Sequence, residues 1–407
     1  MKNNTKNFIW NLIGTGINAF NSLFFLILIT RINGVEDAGI FTFGFSTACL
    51  FFYIGIYSGR IFQVTEKEDI SSLEFIVSKS ITCLCMLIVS ILFVLFNHYS
   101  LLKGGIILLL CIYKMLEAFS DVFYGILQKK ELLYKTGISL TIKNIVNLIL
   151  LFVIDKITNN VILSILSIII FNLLVLIFYD IKESLKYIDF NKKIKKENII
   201  KILKNGFYPF LASFLSLYII NTPKYAIDNF LKDNVQTIFG IIVMPATVVS
   251  LFAQFIVYPF LNNINKFIKN KEIDNLKKLV FKILLIVGMF GILSAIIAYF
   301  FGIPVLSFIY GVELRNYKNC LIIILIGAIF TAFVYILSSV LISIRTLKHQ
   351  VIIYCVIAII SYFISNLFVK KMAVMGASIS YFVSVFLLYI LFYGLYKIVL
   401  KKESDKK

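Results

Sequence analysis

Residues 104–131 have the sequence GGIILLLCIYKMLEAFSDVFYGILQKKE. The first part is an apolar run typical of a membrane-spanning helix, but Lys114, Glu117 and Asp121 follow within it. Their spacing places all three side chains on one face of a helix. Each such charge costs about 3 kcal/mol at the bilayer centre, whereas roughly twelve apolar residues of the segment return only about 5 kcal/mol in total. This face is therefore expected to contact other helices or water.

The rest of the chain has the composition of an integral membrane protein. Of its 407 residues, 60% are hydrophobic and 15% are charged, whereas a soluble domain has about a quarter charged residues. About a dozen apolar runs reach the roughly 18 residues that a membrane span needs. The short alternating segments of a membrane barrel are absent from the sequence. The sequence therefore predicts an all-α integral membrane protein with twelve transmembrane helices.

Lysine and arginine residues are distributed unevenly between the two sides of these spans. If the N-terminus is cytoplasmic, 28 of the 40 Lys and Arg residues fall in cytoplasmic segments and 9 in outer loops. This bias is what the positive-inside rule predicts when both termini are cytoplasmic. Orientation in the membrane accounts for the net charge of +19, and nucleic acid is not predicted as a partner.

The longest basic loop separates two halves of six spans each. The predicted domains are an N-terminal six-helix bundle (1–180), a basic cytoplasmic linker (181–199) and a C-terminal six-helix bundle (200–407). The halves are weakly similar, since residues 125–153 and 341–369 each contain a basic turn followed by an apolar run that reaches an asparagine at a similar distance, Asn147 and Asn366. This similarity favours a parallel internal repeat.

Several predicted spans contain a single polar stripe. Helices with one polar face are expected to surround a central aqueous cavity, and the excess of buried cations favours an anionic substrate. The alternative is that the charges only pair with each other, Lys114 with Glu117 and Asp121 with Lys143. The polar residues predicted to face the cavity are Asn18, Arg31, Lys114, Lys143, Asn147, Asn221 and Lys224.

The motifs of common catalytic and metal sites are absent from the sequence. It contains no phosphate-binding loop and no HExxH zinc motif, so we expect no catalytic residue, metal or cofactor. Both histidines, His98 and His349, lie outside the predicted spans. If transport is coupled to H⁺ or Na⁺, Glu117 and Asp121 are therefore the predicted ion-coupling residues, because a carboxylate beside a lysine in a low-dielectric region can exchange protons.

Five stretches resemble the polysaccharide transporter family of the multidrug/oligosaccharidyl-lipid/polysaccharide exporter (MOP) superfamily, whose members flip O-antigen and capsule repeat units. The resemblance extends over essentially the whole chain and is most specific in the first two spans and around the fourth. The stretches are FIWNLIGTGINAFNSLFFLILITRINGVEDAGIFTFGFS (8–46), EAFSDVFYGILQKKE (117–131), NTPKYAID (221–228), VMPATVVSLFAQFIVYPFLN (243–262) and GIPVLSFIYGVEL (302–314).

The resemblance implies two six-helix bundles around a central cationic cavity. It implies that oligosaccharide linked to undecaprenyl pyrophosphate crosses the inner (cytoplasmic) membrane by alternating access, beside a polymerase and glycosyltransferases and in contact with membrane lipids. Basic residues of the cavity would then bind the pyrophosphate and sugars. Arg31 and Arg60 match basic residues of the family, whereas Lys114, Lys143 and Lys224 are assigned to this role from their positions in the predicted spans.

Two other functions are compatible with a polytopic chain. A membrane enzyme of polysaccharide assembly, such as a polymerase or a lipid-linked glycosyltransferase, would usually need longer outer loops or an acidic metal site, and a D-x-D motif is absent. A drug exporter of the same superfamily would prefer a cavity rich in carboxylates. The buried excess of positive charge favours an anionic cargo instead.

Overall fold

The computed structural model describes residues 2–57, 59–65 and 70–404, with residues 2–4 and 61 described by their backbone alone. Within these ranges the chain is helical and contains no strand. The helices are α1 (Lys2–Asn33), α2 (Val35–Ile56), α3 (Gly59–Thr65), α4 (Ser72–Phe96), α5 (Leu101–Lys129), α6 (Leu133–Thr158), α7 (Val161–Val175), α8 (Lys182–Leu185), α9 (Lys196–Phe230), α10 (Asp233–Lys269), α11 (Ile273–Ile297), α12 (Ile303–Tyr310), α13 (Lys318–Ser343) and α14 (Leu347–Ser404). Two π-helical turns, Leu176–Ile181 and Ala298–Gly302, join α7 to α8 and α11 to α12.

Most of these helices are long and apolar enough to cross a membrane. In the described ranges, 9 helical segments meet this criterion, and α5 and α9 are not among them. The 58-residue helix α14 is broken at Ala373, where φ is 47° and ψ is −125°, so it represents two spans. Adding α5, α9 and the second half of α14 to the 9 segments gives the twelve predicted spans. The prediction of an all-α membrane protein is confirmed.

The chain forms two compact units, Met1–Phe214 and Leu215–Lys407. A buried carboxylate attaches the beginning of α9 to the first unit, because Glu74 of α4 accepts hydrogen bonds from the Lys195 backbone N–H and the Asn198 side chain, each at 2.9 Å. The finer division at 1–180, 181–199 and 200–407 stays a prediction. Met1 and residues 405–407, at the ends of the predicted bundles, lie outside the described residues.

Close approach of two backbones holds α1 against α6 in the first unit. A Cβ atom added to Gly137 would lie 2.3 Å from the backbone of Trp10, and one added to Gly14 would lie 2.6 Å from the Gly137 carbonyl oxygen. Only glycine permits such a contact, because real Cβ atoms do not approach backbone atoms this closely. The contact keeps the polar residues of α1 and α6 next to each other.

The second unit is packed mainly through small and aromatic residues. A Cβ atom added to Gly327 of α13 would lie 2.7 Å from the Tyr381 ring of α14, so glycine allows these two helices to approach closely. The ion pairs Lys277–Asp274 and Arg315–Glu313 lie at its surface. Four ion pairs of the first unit lie within or against its helices instead, and these define the candidate site.

Candidate functional site

Three charged side chains from three helices form what we call the cationic cluster, Arg60, Lys79 and Asp121. Arg60 begins the short helix α3, and its Nε lies 3.6 Å from Asp121 Oδ1. Lys79 of α4 places its Nζ 4.0 Å from Asp121 Oδ2. Two cations therefore share one carboxylate, and among the residues that the structure describes the cluster has more positive than negative charge.

The end of α2 explains why a lysine occupies this buried position. The helix ends at Ile56 because Tyr57 and Gly59 adopt positive φ angles of 54° and 67°. The last carbonyl groups then need donors from elsewhere, and Lys79 Nζ donates to the Ile56 carbonyl oxygen at 2.6 Å while Thr82 Oγ1 donates to that of Gly55 at 2.8 Å. A cation at a helix C-terminus is favoured by the helix dipole.

A small cleft lies beside the cationic cluster within the first unit. Its polar lining includes Gln63, Ser78 and Lys79, and its apolar lining includes side chains of α2, α4, α5 and α9. Arg60 Nη1 and Ser78 Oγ are buried and have no hydrogen-bond partner among the residues that the structure describes. Guanidinium and hydroxyl groups can both donate to an anionic oxygen. The cleft and cluster therefore have the chemistry of an anion site.

Lys114 and Glu117 form a second, electrically neutral pair on α5. Their Nζ and Oε2 atoms are 2.6 Å apart. The ammonium group also lies 4.9 Å from the centre of the Phe45 ring, 5.6 Å from that of Phe52 and 5.2 Å from that of Tyr113. These distances are typical of cation–π contacts. The part of the alternative in which Lys114 pairs with Glu117 is confirmed.

Lys143 of α6 belongs to a third buried cluster. Its Nζ lies 2.6 Å from Asp180 Oδ2 and donates to Ser120 Oγ at 2.8 Å. Asp180 lies in the π-helical turn after α7, and its other carboxylate oxygen accepts from Ser139 Oγ at 2.6 Å. The side chains of Lys143 and Asp180 are only 5% and 0% exposed. The part of the alternative in which Asp121 pairs with Lys143 is wrong, because Lys143 pairs with Asp180 and Asp121 with Arg60 and Lys79.

An amide network connects four helices in the interior of the same unit. Asn21 of α1 donates to Asn144 of α6 at 2.7 Å, and Asn172 of α7 donates to Asn147 at 2.7 Å. Asn147 in turn donates to the Tyr113 hydroxyl of α5 at 3.4 Å. The predicted polar stripe of α6 is thus satisfied largely by other side chains of the unit.

The structure places the predicted cargo-binding residues in different surroundings. Arg60 contacts Asp121, and Lys114 contacts Glu117. Arg31 and Asn18 lie exposed on α1. Lys224 and Asn221 lie in the second unit. Asn221 is buried, whereas Lys224 is partly exposed and its backbone carbonyl oxygen accepts a hydrogen bond from the Gln236 side chain. Their role in binding cargo stays a prediction.

Sequence reasoning missed two members of these clusters. Lys79 was recognisable as a lysine inside a predicted span, but its partners at the end of α2 depend on the left-handed turn at Tyr57. Asp180 was not among the predicted site residues, because it lies at the very end of the predicted N-terminal bundle (1–180). In the structure the helix continues through the π-helical turn to Leu185, so Asp180 is buried.

Comparison with known proteins agrees with this architecture. No family model matches the chain. The chain is 27% identical to the capsular polysaccharide biosynthesis protein CapF of Staphylococcus aureus, over 96% of this chain and 99% of that protein. Among solved structures, the inward-facing conformation of a multidrug resistance MATE family transporter of the MOP superfamily matches with a TM-score of 0.75 at 13% identity, covering 98% of this chain and 99% of that one. The chain has the MOP-superfamily fold.

A second solved structure has the same fold. The lipid II flippase MurJ in an inward closed conformation has the MOP fold as well, with a TM-score of 0.71 at 17% identity over 97% of this chain and 90% of that one. These structural matches confirm the fold that the resemblance implied, and the relative from Staphylococcus aureus is named for capsular polysaccharide biosynthesis. They also agree with a multi-pass membrane protein, as the apolar helices indicate.

Proposed function

We propose that the protein is a flippase that moves oligosaccharide repeat units linked to undecaprenyl pyrophosphate from the cytoplasmic to the outer leaflet of the cytoplasmic membrane by alternating access. Its product would supply the assembly of a surface polysaccharide, beside a polymerase and glycosyltransferases. The relative named for capsular polysaccharide biosynthesis and the MOP fold shared with a lipid II flippase support this proposal. The observation that carries it is the cationic cluster with its adjoining cleft.

The physical task of such a flippase is to carry a charged head group across hydrocarbon. A diphosphate cannot cross a layer of roughly 30 Å without surroundings that replace its water. Arg60 offers a planar group of donors that matches phosphate oxygens, and its Nη1 has no partner in the described part of the chain. The lipid tail would stay in the bilayer while the head group binds this donor.

We rank the proposed cargo contacts that belong to the ion-pair clusters by the exposure of their side chains. Arg60 is 25% exposed, whereas Lys143 is 5% exposed and surrounded by protein partners. Arg60 is therefore proposed as the first contact of the cargo, and Lys79 adds a positive charge beside it. Lys143 and Asn147 are proposed to contact cargo only if the first unit opens. The other proposed contacts are Arg31, Lys114, Lys224, Asn18 and Asn221.

Ion coupling through carboxylates is part of the same proposal. Glu117 is paired with Lys114, and Asp121 is paired with Arg60 and Lys79. Protonation of either carboxylate would release a cation for the cargo, which would link proton movement to the binding of a diphosphate. We propose Glu117 and Asp121 as the carriers, and both chain termini as cytoplasmic.

A drug exporter is the second candidate, because a multidrug MATE transporter is among the structural matches. An exporter of organic cations needs carboxylates that are available to its substrate. Among the carboxylates within the first unit, Glu117, Asp121 and Asp180 are paired with cations, and Asp155 is fully buried. The arrangement of charges therefore favours an anionic cargo.

Deletion of the gene, followed by complementation, tests the proposed function. Deletion is expected to abolish the surface polysaccharide and to leave lipid-linked repeat units on the cytoplasmic leaflet. A deletion strain that carries Arg60→Gln should make about tenfold less polysaccharide, or less still, than one that carries the wild type. The variant loses a hydrogen bond between the guanidinium group and the charged cargo, and such a bond contributes about 1.5–3 kcal/mol. Lys79 still neutralises Asp121 in this variant, so the fold is preserved.

The matched control is Arg345→Gln, which removes an arginine that is exposed in the turn before α14. It is expected to complement as well as the wild type. Full complementation by Arg60→Gln at equal protein level would contradict the assigned site. A deletion strain with unchanged polysaccharide and no accumulated intermediate would contradict the function itself.

A further inference from the structure

The ammonium group of Lys114 occupies a cage of aromatic rings in the first unit. It lies 4.9, 5.6 and 5.2 Å from the ring centres of Phe45, Phe52 and Tyr113, all within the roughly 6 Å over which a ring attracts a cation. The Glu117 carboxylate completes the cage, 2.6 Å from the same nitrogen. Several rings around one cation are the arrangement with which proteins bind quaternary ammonium ligands.

Helical spacing places these groups on facing surfaces of α2 and α5. Phe45 and Phe52 are seven residues, or about two turns, apart on α2 and therefore share a face. Tyr113 and Glu117 are four residues apart on α5 and lie on the same side of that helix. The two helices approach closely beside the cage, because a Cβ atom added to Gly44 of α2 would lie 3.0 Å from a side chain of α5.

The rings of the cage are held in place by other aromatic side chains. Phe45 stacks on Phe41, with ring centres 5.8 Å apart and planes at 22°, and meets the edge of Phe25 at 6.1 Å. Phe25 also contacts Tyr113, with ring centres 6.5 Å apart. Phe25 and Tyr113 are both fully buried. Because these rings are supported from behind, we expect the cage to persist when the cation is removed.

We propose that Lys114 is a specificity-determining residue, whose side chain permanently supplies the cation of this cage and thereby excludes organic cations as cargo. A protein selects between ligands by what it repels as well as by what it attracts. A free organic cation would have to displace the tethered ammonium group and would leave it beside a second positive charge, which is unfavourable. The proposal rests on the proposed anionic cargo, whose selection it would explain.

Removal of the tethered cation should convert the cage into a binding site for a free one. Lys114→Ala keeps the Cβ atom and removes the three methylene groups and the ammonium nitrogen beyond it. The ion n-propylammonium replaces these atoms one for one, and n-propanol fills nearly the same volume without a charge. Since Glu117 loses its ionic partner in this variant, a bound cation should also stabilise the folded state.

Equilibrium binding of ¹⁴C-tetramethylammonium to the purified full-length protein, together with thermal unfolding, tests the proposal. Lys114→Ala is expected to bind tetramethylammonium saturably and at least about tenfold more tightly than the wild type. Its melting temperature should rise with n-propylammonium chloride but not with n-propanol or NaCl. The matched control is Lys135→Ala, because Lys135 also pairs with a carboxylate, Glu183, at similar exposure. This control should bind tetramethylammonium no more tightly than the wild type.

Second substitutions separate the contribution of the rings from that of the carboxylate. Adding Phe45→Leu to Lys114→Ala should weaken binding of tetramethylammonium about threefold, because one ring is lost. Adding Glu117→Gln should also weaken it, but the three rings should still bind the ion more tightly than the wild type does. The variant Lys114→Ala/Glu117→Gln contains neither charge of the pair, so it decides the matter if Lys114→Ala does not fold.

Three results would overturn the proposal. These are no binding of tetramethylammonium by the folded variants that lack Lys114, equal stabilisation of Lys114→Ala by n-propylammonium and n-propanol, and equally tight binding by Lys135→Ala. No lipid-linked cargo is present in these measurements. The proposed flippase activity would fail by a different result, namely unchanged surface polysaccharide after deletion of the gene.

Discussion

Replacing one member of the Lys143–Asp180 pair should destabilise the first unit strongly, whereas replacing both should be mild. Lys143→Met leaves the Asp180 carboxylate with hydrogen bonds from Ser139 and Tyr124 but without a cation. Asp180→Asn leaves the Lys143 ammonium group beside Ser120 and Tyr124 without an anion. In either variant a full charge stays buried without its counter-ion.

The size of the effect follows from the burial of both groups. Removing one partner of a buried pair costs about 3–5 kcal/mol, mostly because the other charge is left uncompensated. The double variant contains neither charge, so we expect it to cost only about 1–2 kcal/mol for weakened hydrogen bonds. The coupling free energy between the two positions should therefore be about 4 kcal/mol or more. Lys135→Met is the matched control, because its pair with Glu183 is more exposed and should contribute at most about 1 kcal/mol.

Unfolding of the purified protein in mixed detergent micelles can measure these free energies. The chain has 1 tryptophan, Trp10, whose backbone packs against Gly137 of α6, so its fluorescence reports the packing of α1 on α6. Additive costs of the two single changes would refute the reasoning, as would single variants as stable as the wild type. A stable double variant that still flips cargo would show that the pair is structural, and one without flipping would support the cargo role of Lys143.

Three further predictions concern packing, attachment and coupling. Gly137→Val should cost about 1–3 kcal/mol or prevent folding through contact with the backbone of α1, whereas Gly105→Val, with no atom within 4 Å, should change stability by less than about 1 kcal/mol; equal melting temperatures would contradict this contact. Glu74→Gln replaces one carboxylate oxygen by an amide group at the α4–α9 junction and should therefore speed proteolysis of the loop before α9. An unchanged cleavage rate would count against this attachment. Glu117→Gln should abolish gradient-driven transport in proteoliposomes, and unchanged transport would exclude Glu117 as the carrier.

The membrane fold could be predicted from the sequence because hydrophobic length is a local property. Apolar runs of about 20 residues predict spans wherever they occur, and the distribution of Lys and Arg predicts orientation. The boundaries are less local. The helix that begins as α7 continues past the predicted end of the bundle at residue 180, through a π-helical turn and into α8. The break in α14 occurs at Ala373 with no proline to indicate it.

The candidate site could be predicted only where partners share a helix. Lys114 and Glu117 are three residues apart on α5, and their pair follows from helical geometry. Lys143 and Asp180 are 37 positions apart, so their pairing depends on how α6 packs against the end of α7. The sequence contains several carboxylates that could pair with each buried cation. Sequence spacing alone does not indicate which of these distant carboxylates is the partner.

The most direct test of the central claim is the affinity of the purified protein for a short polyprenyl-diphosphate oligosaccharide, compared with the same lipid lacking its phosphates. The account predicts a marked preference for the diphosphate that weakens with salt, and at least about tenfold weaker binding by Arg60→Gln but not by Arg345→Gln. Equal affinity for the charged and uncharged lipids, or an unchanged affinity in Arg60→Gln, would contradict it.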